Sequence, residues 1–405
     1  MFHFYADSML SARLGYLINM KLSTFLTLKR IDYQRGFTFA LVTFFLISFV
    51  FMFLDRSVHF ILAFDLFISL SILFFRINLS SFIQLILVVL YLFYNVSFVL
   101  LNYGPEYLRD LFITIKFLIY FSILLCIYRQ EVISRDSLNR IVNILLFLFM
   151  VKYVIMRVLG EPRPSLYTEN NFELCFLSIL YIVNVYSGYS SKFKFLILVS
   201  IILISGSRSA VLGLFLIYLY EFKPLKGSIV NLTVKLIFLG MLLGILGFVI
   251  MSRMTAGGVE EVDRYVFLMA FIQSVKQFSF LELLIGAPPL TALAPEICQR
   301  LEFYQPLFSS VDPNTCYPVI LHSFWFRIIL EHGIVFTSIF LILIFKVLLS
   351  KGFSVRISLY VLALLGINGL SVSSYNSSII FMALIIISLM KRPQSTNKLT
   401  RHCNV

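Results

Sequence analysis

Apolar side chains run along this chain in long unbroken stretches, and polar ones collect in the short intervals between them. The pattern does not alternate with the period of two that a barrel strand shows, so the stretches predict helices. Twelve are long or apolar enough to be read as membrane spans, at 36–54, 58–75, 81–101, 111–128, 141–159, 172–187, 194–205, 210–220, 229–251, 333–349, 357–370 and 375–390. A spanning helix takes about 20 mainly apolar residues, and in lipid only helices and closed barrels satisfy their own backbone. The fold class expected is therefore an all-α polytopic membrane protein. It divides into 1–251 with nine spans, an exported loop at 252–332, three further spans at 333–390 and a tail at 391–405.

Composition agrees with the pattern. Hydrophobic residues make up 60% of the 405, charged residues 13%, and there are 44 Phe. Soluble domains carry roughly 25% charge, so this chain cannot clothe itself in polar side chains. The net charge of +13 suggests nucleic acid at first sight. However, a nucleic-acid protein gathers its Lys and Arg on one exposed face, and here they lie in short segments between spans. That is the positive-inside pattern of a membrane protein. Arg13, Lys21, Lys29, Arg30 and Arg35 precede the first span, and Lys391, Arg392, Lys398 and Arg401 follow the last. Both termini are thus expected on the cytoplasmic side. Met1–Thr27 has no apolar core followed by small residues, so no removable signal peptide is read there.

The 252–332 segment breaks the monotony, with eight acidic residues, most of the prolines and an expected helix at 261–285. A loop of this length is functional or disordered, and Tyr265, Val266, Phe267, Leu268 and Phe271 favour a folded flap. Cys298 and Cys316 both lie in it. In an oxidising compartment a bridge between them would be worth about 3 kcal/mol; two free thiols are the alternative. No His or Cys spacing matches a metal site, and no nucleotide-binding glycine motif is present.

Charges inside spans are costly, and Asp65, Lys116 and Lys152 are functional candidates on that ground alone. Glu173 is a partner in reach of Lys152, and Arg327 and Glu331 are spaced to pair on one helix face. Most informative is Ser205-Gly206-Ser207-Arg208-Ser209-Ala210, flanked by apolar runs of about 11–12 residues that reach only about 17 Å each. The turn carrying Arg208 must lie below the membrane surface, in a cavity, or the helices must extend through it. There an arginine snorkels, pairs internally, or meets an anionic ligand.

Gly206-Ser207-Arg208-Ser209-Ala210-Val211-Leu212 resembles the Arg-x-x-x-Leu element of the O-antigen polymerase and ligase superfamily, membrane glycosyltransferases of the GT-C class. Arg264, in Val262-Asp263-Arg264-Tyr265, resembles the superfamily's second arginine, and Leu284-Ile285-Gly286 its Leu-x-Gly. His322-Ser323, nine residues and then Gly333 resemble its His-[Asn/Ser] … Gly-x-x-Gly, although Phe336 stands where a small or polar residue is usual. The likeness covers roughly 163–340. It implies a GT-C-like fold and an inverting, metal-independent and cofactor-free glycosyl transfer. The donor implied is a glycan on undecaprenyl pyrophosphate and the acceptor a sugar hydroxyl, at the periplasmic face of a bacterial inner membrane. Arginine suits the leaving pyrophosphate because its planar fork binds phosphate bidentately and keeps its charge. Arg208 and Arg264 are expected to hold it, with Arg163 as a third. His322 is expected as the base or as an orienting hydrogen-bond partner, kept neutral by a helix starting at Ser323. Glu169 is a second candidate base, or a solvated loop carboxylate. Tyr375 and Asn376 are expected sugar contacts at the outer mouth. The activity implied is polymerisation of repeat units, with ligation to lipid A–core as the sister reading and lipid-linked glycan transport as a third. The partners implied are the lipid-linked oligosaccharides, the bilayer and a chain-length regulator.

Overall fold

The computed structural model describes residues 36–50, 59–72, 82–161, 163–167, 169–222, 263–372 and 374–392, with single positions between them. Helices dominate: α1 Gly36–Val50, α2 His59–Ser71, α3 Phe82–Asn102, α4 Leu108–Ile127, α5 Arg135–Val158, α6 Asn170–Tyr186, α7 Lys192–Ser205, α8 Arg208–Phe222, α9 Asp263–Gln277, α10 Phe280–Ile285, α11 Pro295–Arg300, α12 Phe324–Ser350, α13 Val355–Gly369 and α14 Ser378–Ser388. Among the described residues there is no strand, only an isolated parallel bridge between Ile133 and Met390. The protein is an all-α membrane protein. Four segments are long and apolar enough to cross a bilayer, namely α3, α4 with the turn before it, α5 and α12.

Of the predicted spans, 229–251 lies, but for single positions, outside the described residues, as do the basic N-terminal stretch before 36 and the tail after 392. The others coincide with helices. Local chemistry sets their ends. Ser134 accepts a hydrogen bond from Ser137 N at 3.0 Å and so caps α5, and Ser354 caps α13 in the same way. α7 and α8 have 14 and 15 residues, about 21–23 Å each.

One expectation about the helices needs correcting. The predicted 261–285 helix is two helices, because Ser279 and Glu282 form a reciprocal capping box that starts α10 afresh. The expected boundary between loop and span at 332/333 coincides with a break at Gly333 (φ 78°, ψ 170°), which divides α12, Phe324–Ser350, into two helical stretches.

α14 forms the axis of the bundle. All of its residues are buried, and it packs against α2, α4 and α6. At the basic face it is pinned by Val132 and Ile133, whose amides donate to Leu389 O at 2.8 and 2.9 Å. Phe45, Phe64, Phe149, Tyr167 and Phe176 close one flank with tilted and edge-on ring contacts. The exported loop has a core of its own, built from Phe267, Ala270, Leu293, Ile297, Leu301, Ile320 and Leu321 around the Cys298–Cys316 disulfide.

That loop is tied to the bundle at two places. Asp110, buried in the first turn of α4, accepts from Ser309 Oγ at 2.5 Å and from Ser310 N at 3.0 Å. At the other place α10 crosses α12 so closely that a Cβ on Gly333 would lie 2.4 Å from Gly286 N and Leu284 O. Gly286 has φ 94°, and a Cβ there would meet His332 at 2.6 Å. Only glycine combines that closeness with that backbone. The Leu-x-Gly and the glycine after His322, far apart in the chain, are the two sides of one backbone crossing.

Candidate functional site

The α7–α8 turn begins with Gly206 in the left-handed region (φ 65°, ψ 15°), which closes α7. Ser207 opens α8, accepting from Ala210 N at 3.3 Å. The start of α6 is laced to this turn. Asn170 Nδ2 donates to Ser205 O at 3.3 Å, while Asn171 Oδ1 accepts from Ser207 Oγ at 2.7 Å and Ser209 Oγ at 3.2 Å. From the far side, Asn368 Nδ2 of α13 holds Asn171 O at 2.9 Å.

These bonds frame an open cleft with about 280 Å³ of empty space, lined by Arg163, Asn170, Asn171, Gly206, Ser207, Arg208 and Arg264. The three arginines expected from sequence thus line one cleft. Arg163 is exposed; Arg208 and Arg264 are half-buried. Each of the latter two sits in the first turn of its helix, and α6 also begins here, so three helix N-termini converge. Their helix dipoles add to the positive potential of the guanidiniums. The lining of the cleft is rich in guanidinium, hydroxyl and amide groups.

Arg163 is brought here by a buried carboxylate. Glu173, fully buried, accepts from Leu166 N at 2.6 Å, Tyr167 N at 2.7 Å and Tyr153 OH at 3.0 Å. Glu173 therefore fixes the 163–167 segment. Lys152, its expected partner, is also buried.

His322 follows a short turn, Pro318–Leu321, and has φ 50°, ψ −35°. Its ring lies edge-on between Phe267 (5.4 Å) and Tyr304 (5.7 Å). Phe267 is one helical turn from Arg264 on α9, so a single helix serves both the cleft and the histidine. Ser323 stands at the start of α12, but its hydroxyl donates to Gly369 O at 3.1 Å and caps nothing. Glu169 is exposed beside the cleft, without lining it, and accepts from Asn171 Nδ2 at 2.8 Å.

Tyr375 and Asn376 are not at an open mouth. Both are buried, Tyr375 against Phe324 at 4.5 Å and Asn376 by donating to Ile113 O at 2.8 Å. This corrects the sugar-contact expectation: the turn before α14 is wedged inside the bundle. Asp65 accepts from Tyr120 OH at 2.6 Å. Arg327 and Glu331 do pair, at 2.9 Å, though in the interior rather than on an exposed face.

The sequence reading missed the extension of that pair. Tyr91 OH and His332 Nδ1 are hydrogen-bonded at 2.8 Å, and His332 Nε2 lies 3.9 Å from Glu331. Phe336 stacks over Tyr91 and His332 at 5.1 and 5.0 Å. A large ring at this position, atypical of the resemblance, walls the pair off. Nothing local in the sequence links Tyr91 to a residue 241 positions away. The neighbouring cavity holds Tyr317, whose phenol is pushed up to about 12 by burial.

Among the described residues no group of three His, Cys, Asp or Glu is placed to hold a metal ion. Compared with known proteins, the chain matches no family model, no curated protein and no solved structure. The class defined is an all-α membrane protein with an arginine-lined cleft and a disulfide-braced segment.

Proposed function

We propose that this protein is a polymerase joining undecaprenyl-pyrophosphate-linked oligosaccharide repeat units into a surface polysaccharide. It would work at the periplasmic face of a bacterial inner membrane, as a GT-C-like transferase with twelve spans and both termini in the cytoplasm. The observation that carries the reading is the convergence of Arg163, Arg208 and Arg264 on one cleft.

In the step proposed, an acceptor sugar hydroxyl attacks the anomeric carbon of the donor glycan. The new bond joins acceptor oxygen to anomeric carbon, and the bond from that carbon to the pyrophosphate oxygen breaks, with inversion. The leaving pyrophosphate takes the electron pair, and its growing charge is met by fixed guanidiniums and helix N-termini. The hydroxyl proton passes to His322, a positioned base or orienting partner. Glu169 remains the alternative proton acceptor. A chain-length regulator fits this activity as a partner.

The test is complementation of a strain lacking the gene, with Arg208→Ala and His322→Ala beside the wild type and surface polysaccharide read on a gel. A polymerase gives a ladder that collapses to a single repeat on lipid A–core in both variants. Loss of every repeat from the core, with lipid-linked polymer accumulating, assigns ligation instead. Full activity of both variants refutes the mechanism and favours transport.

A further inference from the structure

The exported loop carries an apolar face that its own core does not use. On α10, Phe280 is 77% exposed, Leu281 62% and Ile285 60%. The polar side of the same helix is internally satisfied, since Glu282 accepts from Ser279 N and Ser279 Oγ at 2.7 and 2.8 Å.

The depth of this face follows from α12. Lys351 caps α12 at the basic face, where its ammonium donates to Gln130 O at 3.0 Å. From there to Gly333 is eighteen residues, or about 27 Å of helix. A hydrocarbon core is about 30 Å thick. Gly333 therefore stands at the opposite edge of the apolar slab, and the crossing pins Gly286, the residue that ends α10, to the same level. One residue past the crossing, Ile334 and Val335 of α12 are 42% and 46% exposed and begin its lipid-facing stripe.

We propose that α10 is an interfacial anchor: Phe280, Leu281 and Ile285 lie in the leaflet opposite the basic face, and the exported loop is docked into lipid rather than suspended over it. An apolar helix face at the boundary of headgroups and acyl chains sinks about 5–10 Å into it, which the side chains of this helix can span. Because Arg264 lies on the helix just before α10, the anchor also holds the arginine cleft at a set depth relative to that leaflet. The inference rests on the burial pattern and the crossing, and stands whether or not the proposed activity is right.

The full chain, with Cys403 replaced by serine, is given a single reactive cysteine as Leu281→Cys, Ile285→Cys or Asn314→Cys. Each is labelled with an environment-sensitive fluorophore and reconstituted in phosphatidylcholine–phosphatidylglycerol vesicles. Quenching by lipid carrying a nitroxide near the headgroup end of its acyl chain is compared with quenching by aqueous iodide. At 281 and 285 the lipid quencher is expected to act at least threefold more strongly than iodide, with the reverse order at the exposed loop position 314. Two positions on α10 keep the test open if one variant does not fold. Iodide quenching at 281 and 285 equal to that at 314 overturns the proposal. So does protection of both from either quencher, which would mean that protein covers the face.

Discussion

Replacing Gly333 by alanine adds one methyl group, and the structure sets what it costs. The new Cβ would lie 2.4 Å from Gly286 N and Leu284 O and 2.6 Å from Ile285 C, all backbone atoms with no rotamer to yield. To restore ordinary contact α10 and α12 must part by about 1 Å, an overpacking worth about 1–3 kcal/mol. The backbone at φ 78°, ψ 170° is glycine's territory, adding about 1–3 kcal/mol of strain. Parting the helices also stretches the Ala287 N to Leu330 O bond of 3.1 Å, worth about 1 kcal/mol. Gly333→Ala should therefore lose about 3–7 kcal/mol, an outlying value for a single methyl. The assay is thermal unfolding of purified protein in one detergent, as a cycle with Gly286→Ala. Both methyl groups strain the same crossing, so once the helices have parted for one, the other enters at little further cost. The double variant should be less destabilised than the sum of the singles by more than about 1 kcal/mol. Wild-type melting of Gly333→Ala, or strict additivity in the cycle, would refute the crossing.

Asp110→Ala should free the 309–315 segment from α4, leaving Ser310 N without its partner at a cost of about 1–3 kcal/mol; limited proteolysis should then cut that segment first. Reducing the Cys298–Cys316 bridge, 18 residues apart, should remove about 3 kcal/mol and lower the melting temperature only under reductant, while a Cys298→Ser/Cys316→Ser pair ignores reductant. The Asp312 carboxyl is held below its ordinary value by Thr315 Oγ1 and Asn314 N. Its contribution is therefore present above the ordinary aspartate value of about 3.9 and fades as pH falls through the lower folded value. Loop protease sensitivity in Asp312→Asn at pH 6 should match that of the wild type at the acid end.

What the sequence revealed, and what it hid, divides by range. Helices were legible because apolar runs act within a few residues. The capping box at Ser279 and Glu282 was equally local and still passed over, because the apolar periodicity of 261–285 reads straight through it. The arginines were legible as types, since a guanidinium beside small residues in an apolar chain needs an anion. Their convergence was expected only through the resemblance, because the fold achieves it by Glu173 fixing 163–167 and Asn171 bridging two helices. Tyr375 and Asn376 looked like mouth residues because their neighbours are polar and small. They are interior because the turn before α14 is swallowed by α4 and α12, a fact about packing alone. His332 was hidden for the same reason.

The central position of α14 bears on how the protein is made. A ribosome delivers α2, α4 and α6 to the membrane long before α14, yet α14 fills the space between them with every residue buried. The earlier helices must wait with an unfilled slot at their centre, their polar groups such as Asp65 and Tyr120 still open to exchange partners. Closure comes as a single late insertion, sealed when the Leu389 carbonyl is reached by Val132 and Ile133. A chain stopped before Ser378 would be a ring without an axle, and membrane quality control should meet it as a misfolded protein rather than a shortened but working one.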